Sequence, residues 1–177
     1  TTYTNNGTID IKNVGSRGID SYTAGSTASF NIINDGTINI EATTSHGILN
    51  NSNQGGIVTF ENKANRLISI QNIGDRGLYN ITNDASIVNF TNDGSIDIDN
   101  TTNVGLYNYT RDGFINFTNN SSIDIFNADY DAGFYNYTEQ NGDEWTTELT
   151  FNNNGNINIE ETEGHGLIFN TRNGTTT

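Results

Sequence analysis

"GLYNYT" at Gly105–Thr110 returns as "GFYNYT" at Gly133–Thr138, twenty-eight positions later. Both copies carry two tyrosines at the same alternate places. Such near-identity suits either a duplicated catalytic motif or a lattice, in which every copy must match the copy it sits on. The flanking sequence decides for the lattice.

An Ile-x-Ile triplet recurs six times, at Ile9/Ile11, Ile38/Ile40, Ile68/Ile70, Ile96/Ile98, Ile123/Ile125 and Ile157/Ile159, with spacings of 29, 30, 28, 27 and 34. Nine or ten residues after each first isoleucine stands a glycine followed by a large apolar residue, as in Gly47-Ile48, Gly105-Leu106 and Gly133-Phe134. A third apolar pair closes the first five units: Phe30/Ile32, Val58/Phe60, Val88/Phe90, Ile115/Phe117 and Leu149/Phe151. Alternation with period two marks strands with one buried face. Turn letters separate them, "NDG" at Asn34–Gly36 and Asn92–Gly94 and "NNG" at Asn153–Gly155. No segment holds apolar residues at helical spacing over ten positions. Three short strands per ~29-residue unit predict an all-β fold, a parallel β-helix (β-solenoid) of about six coils, roughly 29 Å long. Leucine-rich repeats lack their signature here, and propeller blades need a longer unit. Residues 1–177 read as a single solenoid segment, part of a longer repeat array.

Columns answer the opening comparison. With each second-strand glycine as zero, position +1 is apolar throughout: Ile19, Ile48, Leu78, Leu106, Phe134, Leu167. Position +3 is Ser21, Asn50, Asn80, Asn108, Asn136, Phe169, and position +5 is Ser or Thr in all six units. By parity these columns share the inner side. Stacked asparagines can pass amide hydrogen bonds along the axis, as in cross-β ladders, and they are expected at a corner, satisfying backbone groups left unpaired by the bend. Tyr79, Tyr107 and Tyr135 fall at +2, and Tyr109 and Tyr137 at +4, on the outer face. The hexapeptide is therefore one rung of a ladder.

Composition bounds the function. The 177 residues include no Cys, Met or Pro, and only 32% are hydrophobic. Absence of cysteine excludes disulfides, thiolate zinc sites and thiol nucleophiles. A net charge of −14, without a basic patch, argues against nucleic acid and anionic lipid as partners. No apolar run approaches the ~18 residues of a membrane span, so no membrane insertion is expected of this segment. The chain starts without methionine, which reads as a mature product or an excised fragment. The polar, Asn/Thr-rich composition points to a secreted or cell-surface bacterial protein.

Candidate chemistry is sparse. The tyrosine stripe Tyr79, Tyr107, Tyr109, Tyr135 and Tyr137 is the leading contact surface, suited to a glycan or a protein; the competing reading is that stacked aromatics only strengthen the strands. Asp97 and Asp124 fall on neighbouring coils, ~5 Å apart. They suit acid–base work or calcium at an acidic edge, although a solvated edge is the preferred reading and no cofactor is expected. His46 and His165 both precede the column glycine but lie four coils apart. No Ser, Asp and His are placed as a triad, and the chain is expected not to be an enzyme. Between Thr138 and Leu149 about five extra residues carry Trp145, the sole tryptophan. Insertions in solenoids become loops on one face, which makes Trp145 a second contact candidate.

The units "NDGTINIEATTSHGILN", "DGSIDIDNTTNVGLYN" and "NGNINIEETEGHGLIF" resemble the degenerate repeats of bacterial autotransporter-type adhesin passengers. That resemblance covers essentially the whole chain. It implies a right-handed β-helix stalk, exported to the cell surface and used in adhesion to a surface protein or glycan of a host or neighbouring cell. Two other readings stand beside it: a self-assembling extracellular filament, and a carbohydrate-active β-helix enzyme. Because the final rung "GLIFN" is apolar and uncharged, its edge is expected to continue into further repeats or to stack end to end.

Overall fold

The computed structural model describes residues 1–129, 132–140 and 146–172, and the backbone of 175 and 176. The chain opens with β1 (Thr2–Asn5) and then winds through coils of three strands each. The first coil is β2 (Thr8–Val14), β3 (Ile19–Ala24) and β4 (Ser29–Asn34); the second is β5 (Thr37–Thr43), β6 (Ile48–Asn53) and β7 (Ile57–Asn62). The third is β8 (Leu67–Ile73), β9 (Leu78–Asn83) and β10 (Ile87–Asn92); the fourth is β11 (Ser95–Thr101), β12 (Leu106–Arg111) and β13 (Phe114–Asn119). The fifth is β14 (Ser122–Ala128), β15 (Ala132–Glu139) and β16 (Glu148–Asn153), and β17 (Asn156–Glu160), β18 (His165–Arg172) and β19 (Thr175–Thr176) follow. Each strand pairs in parallel with the strand three places on, giving three sheets in orders β1-β4-β7-β10-β13-β16-β19, β2-β5-β8-β11-β14-β17 and β3-β6-β9-β12-β15-β18. The chain is a β-solenoid, as its period predicts.

Register follows the sequence columns residue for residue. Ile96 pairs with Ile68 and Ile123, Leu106 with Leu78 and Phe134, and Phe90 with Phe60 and Phe117. A one-residue slip would turn every inward side chain outward, so the apolar columns lock the pairing. Interior isoleucines from Ile38 to Ile123 are almost fully buried, and the phenylalanines stack at 5.2 Å (Phe60–Phe90) and 5.0 Å (Phe90–Phe117). Each such side chain contributes ~1.5–3 kcal/mol on burial.

A chain this polar still fills an interior because nearly half of its buried residues are polar, and most of these are hydrogen-bonded. Asn50 donates Nδ2–H to Oδ1 of Asn80, Asn80 to Asn108 and Asn108 to Asn136, each at 2.8 Å and all completely buried. Beside them Thr82 donates to Thr110 at 2.7 Å. The axial ladder expected of this column is present, but its expected place is corrected. Asn108 sits in the middle of β12, at no corner, and its amide serves the neighbouring amides.

Corners belong to a second ladder hidden in the turn letters. Asn5, Asn34, Asn62, Asn92, Asn119 and Asn153 close the strands of the first sheet, and each donates to the next at 2.8 Å. Their amides also bond carbonyls across the bend, Asn5 to Thr37 at 3.0 Å and Asn92 to Ser122 at 3.0 Å. Those are the backbone groups a turn would otherwise leave unpaired. Another bend lies four residues after each first isoleucine, where Asn13, Ala42, Asn72, Asn100, Asn127 and Glu161 hold φ between 52° and 58°. Asparagine tolerates this left-handed conformation better than most residues, which accounts for four of the six choices.

Candidate functional site

The third sheet presents the tyrosines, and its geometry begins with glycine. A Cβ placed on Gly77 would lie 2.5 Å from Ile98 Cγ2 and 2.6 Å from the Gly105 carbonyl oxygen. The strand entrance therefore rides directly on the isoleucine core of the following coil. That close approach fixes the height of each following residue, so +2 and +4 side chains of successive coils meet in line.

Tyr79, Tyr107 and Tyr135 form one row, with ring centroids 5.1 Å apart at both steps and interplanar angles of 7° and 27°. Tyr109 and Tyr137 form a second row, 5.5 Å apart at 6°. The rows touch: Tyr107 and Tyr109 lie at 6.2 Å, tilted by 45°. All five rings are half-buried. The structure thus brings together all five tyrosines singled out in the sequence. Trp145 lies outside the described residues.

Residues preceding the column glycines brace one end of the face. Arg76 places its guanidinium carbon 4.6 Å from the Tyr79 centroid and 4.8 Å from that of Tyr107, cation–π distances. His46 meets Tyr79 edge-on at 5.2 Å and lies 3.4 Å from Asp75, which also accepts from Arg76 at 3.1 Å. Burial pushes the Tyr79 hydroxyl up to about 12 and raises Tyr107 as well, with Arg76 opposing both. Burial also lowers the His46 imidazole, against the pull of Asp75. Arg76, like His46, stands immediately before its column glycine. Nothing in their spacing announces that they fold over the tyrosines.

At the other end the face is polar. Tyr109 donates its hydroxyl to Glu139 at 3.3 Å, Arg172 donates to the same carboxylate at 3.3 Å, and Asn170 donates to the Tyr135 hydroxyl at 3.3 Å. Because the rings stack on one another along the axis, their faces are mutually occupied. What the surface offers a partner is rows of ring edges and phenol hydroxyls, repeated once per coil.

The remaining candidates are placed apart from this face. Asp97 and Asp124 are register partners on the outer side of the second sheet. Burial, then the Asp124 charge, raises the Asp97 carboxyl. Among the described residues no group of three or more His, Cys, Asp or Glu is gathered where it would hold a metal ion. His165 is exposed at the start of β18, far along the axis from buried His46. No protein-family model, curated protein or solved structure matches this chain.

Proposed function

We propose that this segment is a non-enzymatic rod of an extracellular or cell-surface protein, a stalk or passenger segment that works by contact through its tyrosine face. The observation that carries the reading is the double tyrosine row, held in register by the coil stacking and braced by Arg76. Five tyrosines half-exposed on one flat sheet give a large amphipathic contact area with little side-chain entropy to lose, the chemistry enriched at recognition surfaces. Their stacking directs the partner toward ring edges and hydroxyls: a glycan engaged through its own hydroxyls, or a protein surface of repeating polar groups. The resemblance of the repeats to adhesin passengers points the same way.

Binding of the purified chain to a glycan array and to immobilised cell-surface proteins tests this. Tyr107→Ala with Tyr135→Ala is expected to abolish the strongest signals while the circular dichroism spectrum is retained. Binding unchanged in that double variant would take the face out of the reading and leave the Trp145 insertion. Turnover of any polysaccharide in a substrate panel would overturn the non-enzymatic assignment.

A further inference from the structure

The tyrosine rows are also where the chain gathers its oxidisable side chains. The sequence has no Cys and no Met, which leaves eight tyrosines and Trp145 as the groups that readily lose an electron. Five of those tyrosines form one array, in which every ring lies within 6.2 Å of another, centroid to centroid. An electron removed from one ring is replaced from its neighbour. Oxidation therefore settles on the ring that gives up its electron and its proton most easily.

Charge and hydrogen bonding select that ring. A phenol that loses an electron also sheds its proton, so the favoured site has a proton acceptor at the hydroxyl and no cation over the ring. Arg76 lies 4.6 Å from the Tyr79 centroid and 4.8 Å from that of Tyr107, which opposes removal of an electron from either. Tyr109 is the opposite case. Its hydroxyl donates to Oε2 of Glu139 at 3.3 Å, and among the described residues no other tyrosine of the array donates to a carboxylate. Arg172 donates to the other oxygen, Oε1, at 3.3 Å, which fixes the carboxylate and leaves Oε2 free to accept. Burial, then the Glu139 charge, raises the Tyr109 hydroxyl, so the phenol keeps its proton until it is oxidised.

We propose that Tyr109 and Tyr137 are a site of oxidative coupling, joined ring to ring when hydrogen peroxide acts through a one-electron oxidant of the haem peroxidase class. The two are register partners on the fourth and fifth coils, stacked 5.5 Å apart at 6°. Near-parallel rings in register turn the carbons ortho to one hydroxyl toward those of the other. Each phenol gives one electron to the oxidant and one proton, from Tyr109 to Glu139 and from Tyr137 to water. The two phenoxyl radicals then form a carbon–carbon bond between ortho positions. The hydrogens displaced from those carbons return as protons to the phenol oxygens through water. In balance, two tyrosines and one hydrogen peroxide give one dityrosine and two waters. The product is a covalent rung between neighbouring coils, outside the sheet and alongside the amide ladder within. It requires no partner bound to the face, so it stands apart from the contact function.

Limiting hydrogen peroxide with a plant haem peroxidase, added to the dilute full chain, tests the site. Dityrosine fluorescence is expected, with two hydrogens lost per chain by intact mass and monomer size kept on a denaturing gel. Fragment mass spectrometry is expected to join the peptides that carry Tyr109 and Tyr137. Tyr137→Phe keeps the ring and abolishes the product. Glu139→Gln keeps an oxygen for the Tyr109 hydroxyl but offers a far weaker base, and is expected to slow coupling several-fold. Tyr3 and Tyr22 serve as internal controls, because they stand 49% and 57% exposed. Reaction governed by exposure alone would couple these two between chains and give dimers on the gel. That pattern overturns the proposal, as does a link that maps to Tyr130 or to Tyr79 and Tyr107. So does a native-folded chain oxidised at Trp145 without any dityrosine, a Tyr137→Phe chain that couples as before, or an unchanged rate in Glu139→Gln.

Discussion

Asn80 donates its side-chain amide to Asn108 at 2.8 Å, one coil away, with both side chains wholly out of reach of water. Asn108 in turn donates to Asn136. Asn108→Leu removes an acceptor from the first and a donor from the second, leaving a buried Nδ2–H and a buried Oδ1 unpaired. The expected loss is ~1–3 kcal/mol, read as a lower urea midpoint. A variant melting with the parent would show that water or a shifted neighbour replaces the amide.

The same relationship shows how far the sequence could be read. Asparagines at +3 were legible as an inner ladder because parity with Leu106 and Thr110 leaves no other side. Their mid-strand position was not, because parity assigns a face and says nothing about where a coil turns. The corner asparagines Asn34, Asn62, Asn92 and Asn119 escaped for the opposite reason. Asn34 and Asn92 stand before aspartate and glycine and read as ordinary turn residues, Asn62 and Asn119 lack those neighbours, and the stacking of all four needs the three-dimensional register. The tyrosine rows were legible as outward-facing, whereas the Arg76 and His46 brace depends on side-chain direction that a column does not encode.

Gly77→Ala tests the close approach that sets the tyrosine face. The added methyl meets Ile98 Cγ2 at 2.5 Å and the Gly105 carbonyl at 2.6 Å, and the carbonyl belongs to a hydrogen-bonded backbone. Relief requires the coils to part, at ~1–3 kcal/mol for an overpacked site. Hydrogen exchange is expected to accelerate at Leu78 and Leu106, next to the site, while β2 and β3 keep their protection. Uniform protection throughout would mean that the glycine column is not set by this contact.

Asp97 carries the pH dependence. Burial, with the Asp124 charge second, raises its carboxyl above the ordinary aspartate value of 3.8. Ionisation is therefore harder in the folded state than in the unfolded one, and the penalty is complete above the folded pKa. As pH falls through that value toward 3.8 the penalty disappears. Asp97→Asn is expected to raise the melting temperature at neutral pH, with the gain vanishing below the ordinary aspartate range. A gain that persists undiminished in acid would trace to the amide's new hydrogen bonds instead of to charge.

Ser21→Asn would extend the inner ladder by one rung. Ser21 Oγ and Asn50 Oδ1 are buried and face the same gap without a hydrogen-bond partner, because a hydroxymethyl is too short to span the rise between coils. An asparagine there can donate to Asn50 as Asn50 donates to Asn80, and the end cavity beside Ser21 provides the room. Satisfying the orphaned oxygen is expected to contribute ~0.5–1.5 kcal/mol, concentrated in the first coil and visible as slower exchange of the β3 amides. Calorimetry measures the gain. A variant no more stable than the parent would show that the Ser21 and Asn50 oxygens are not left wanting a partner in the folded chain.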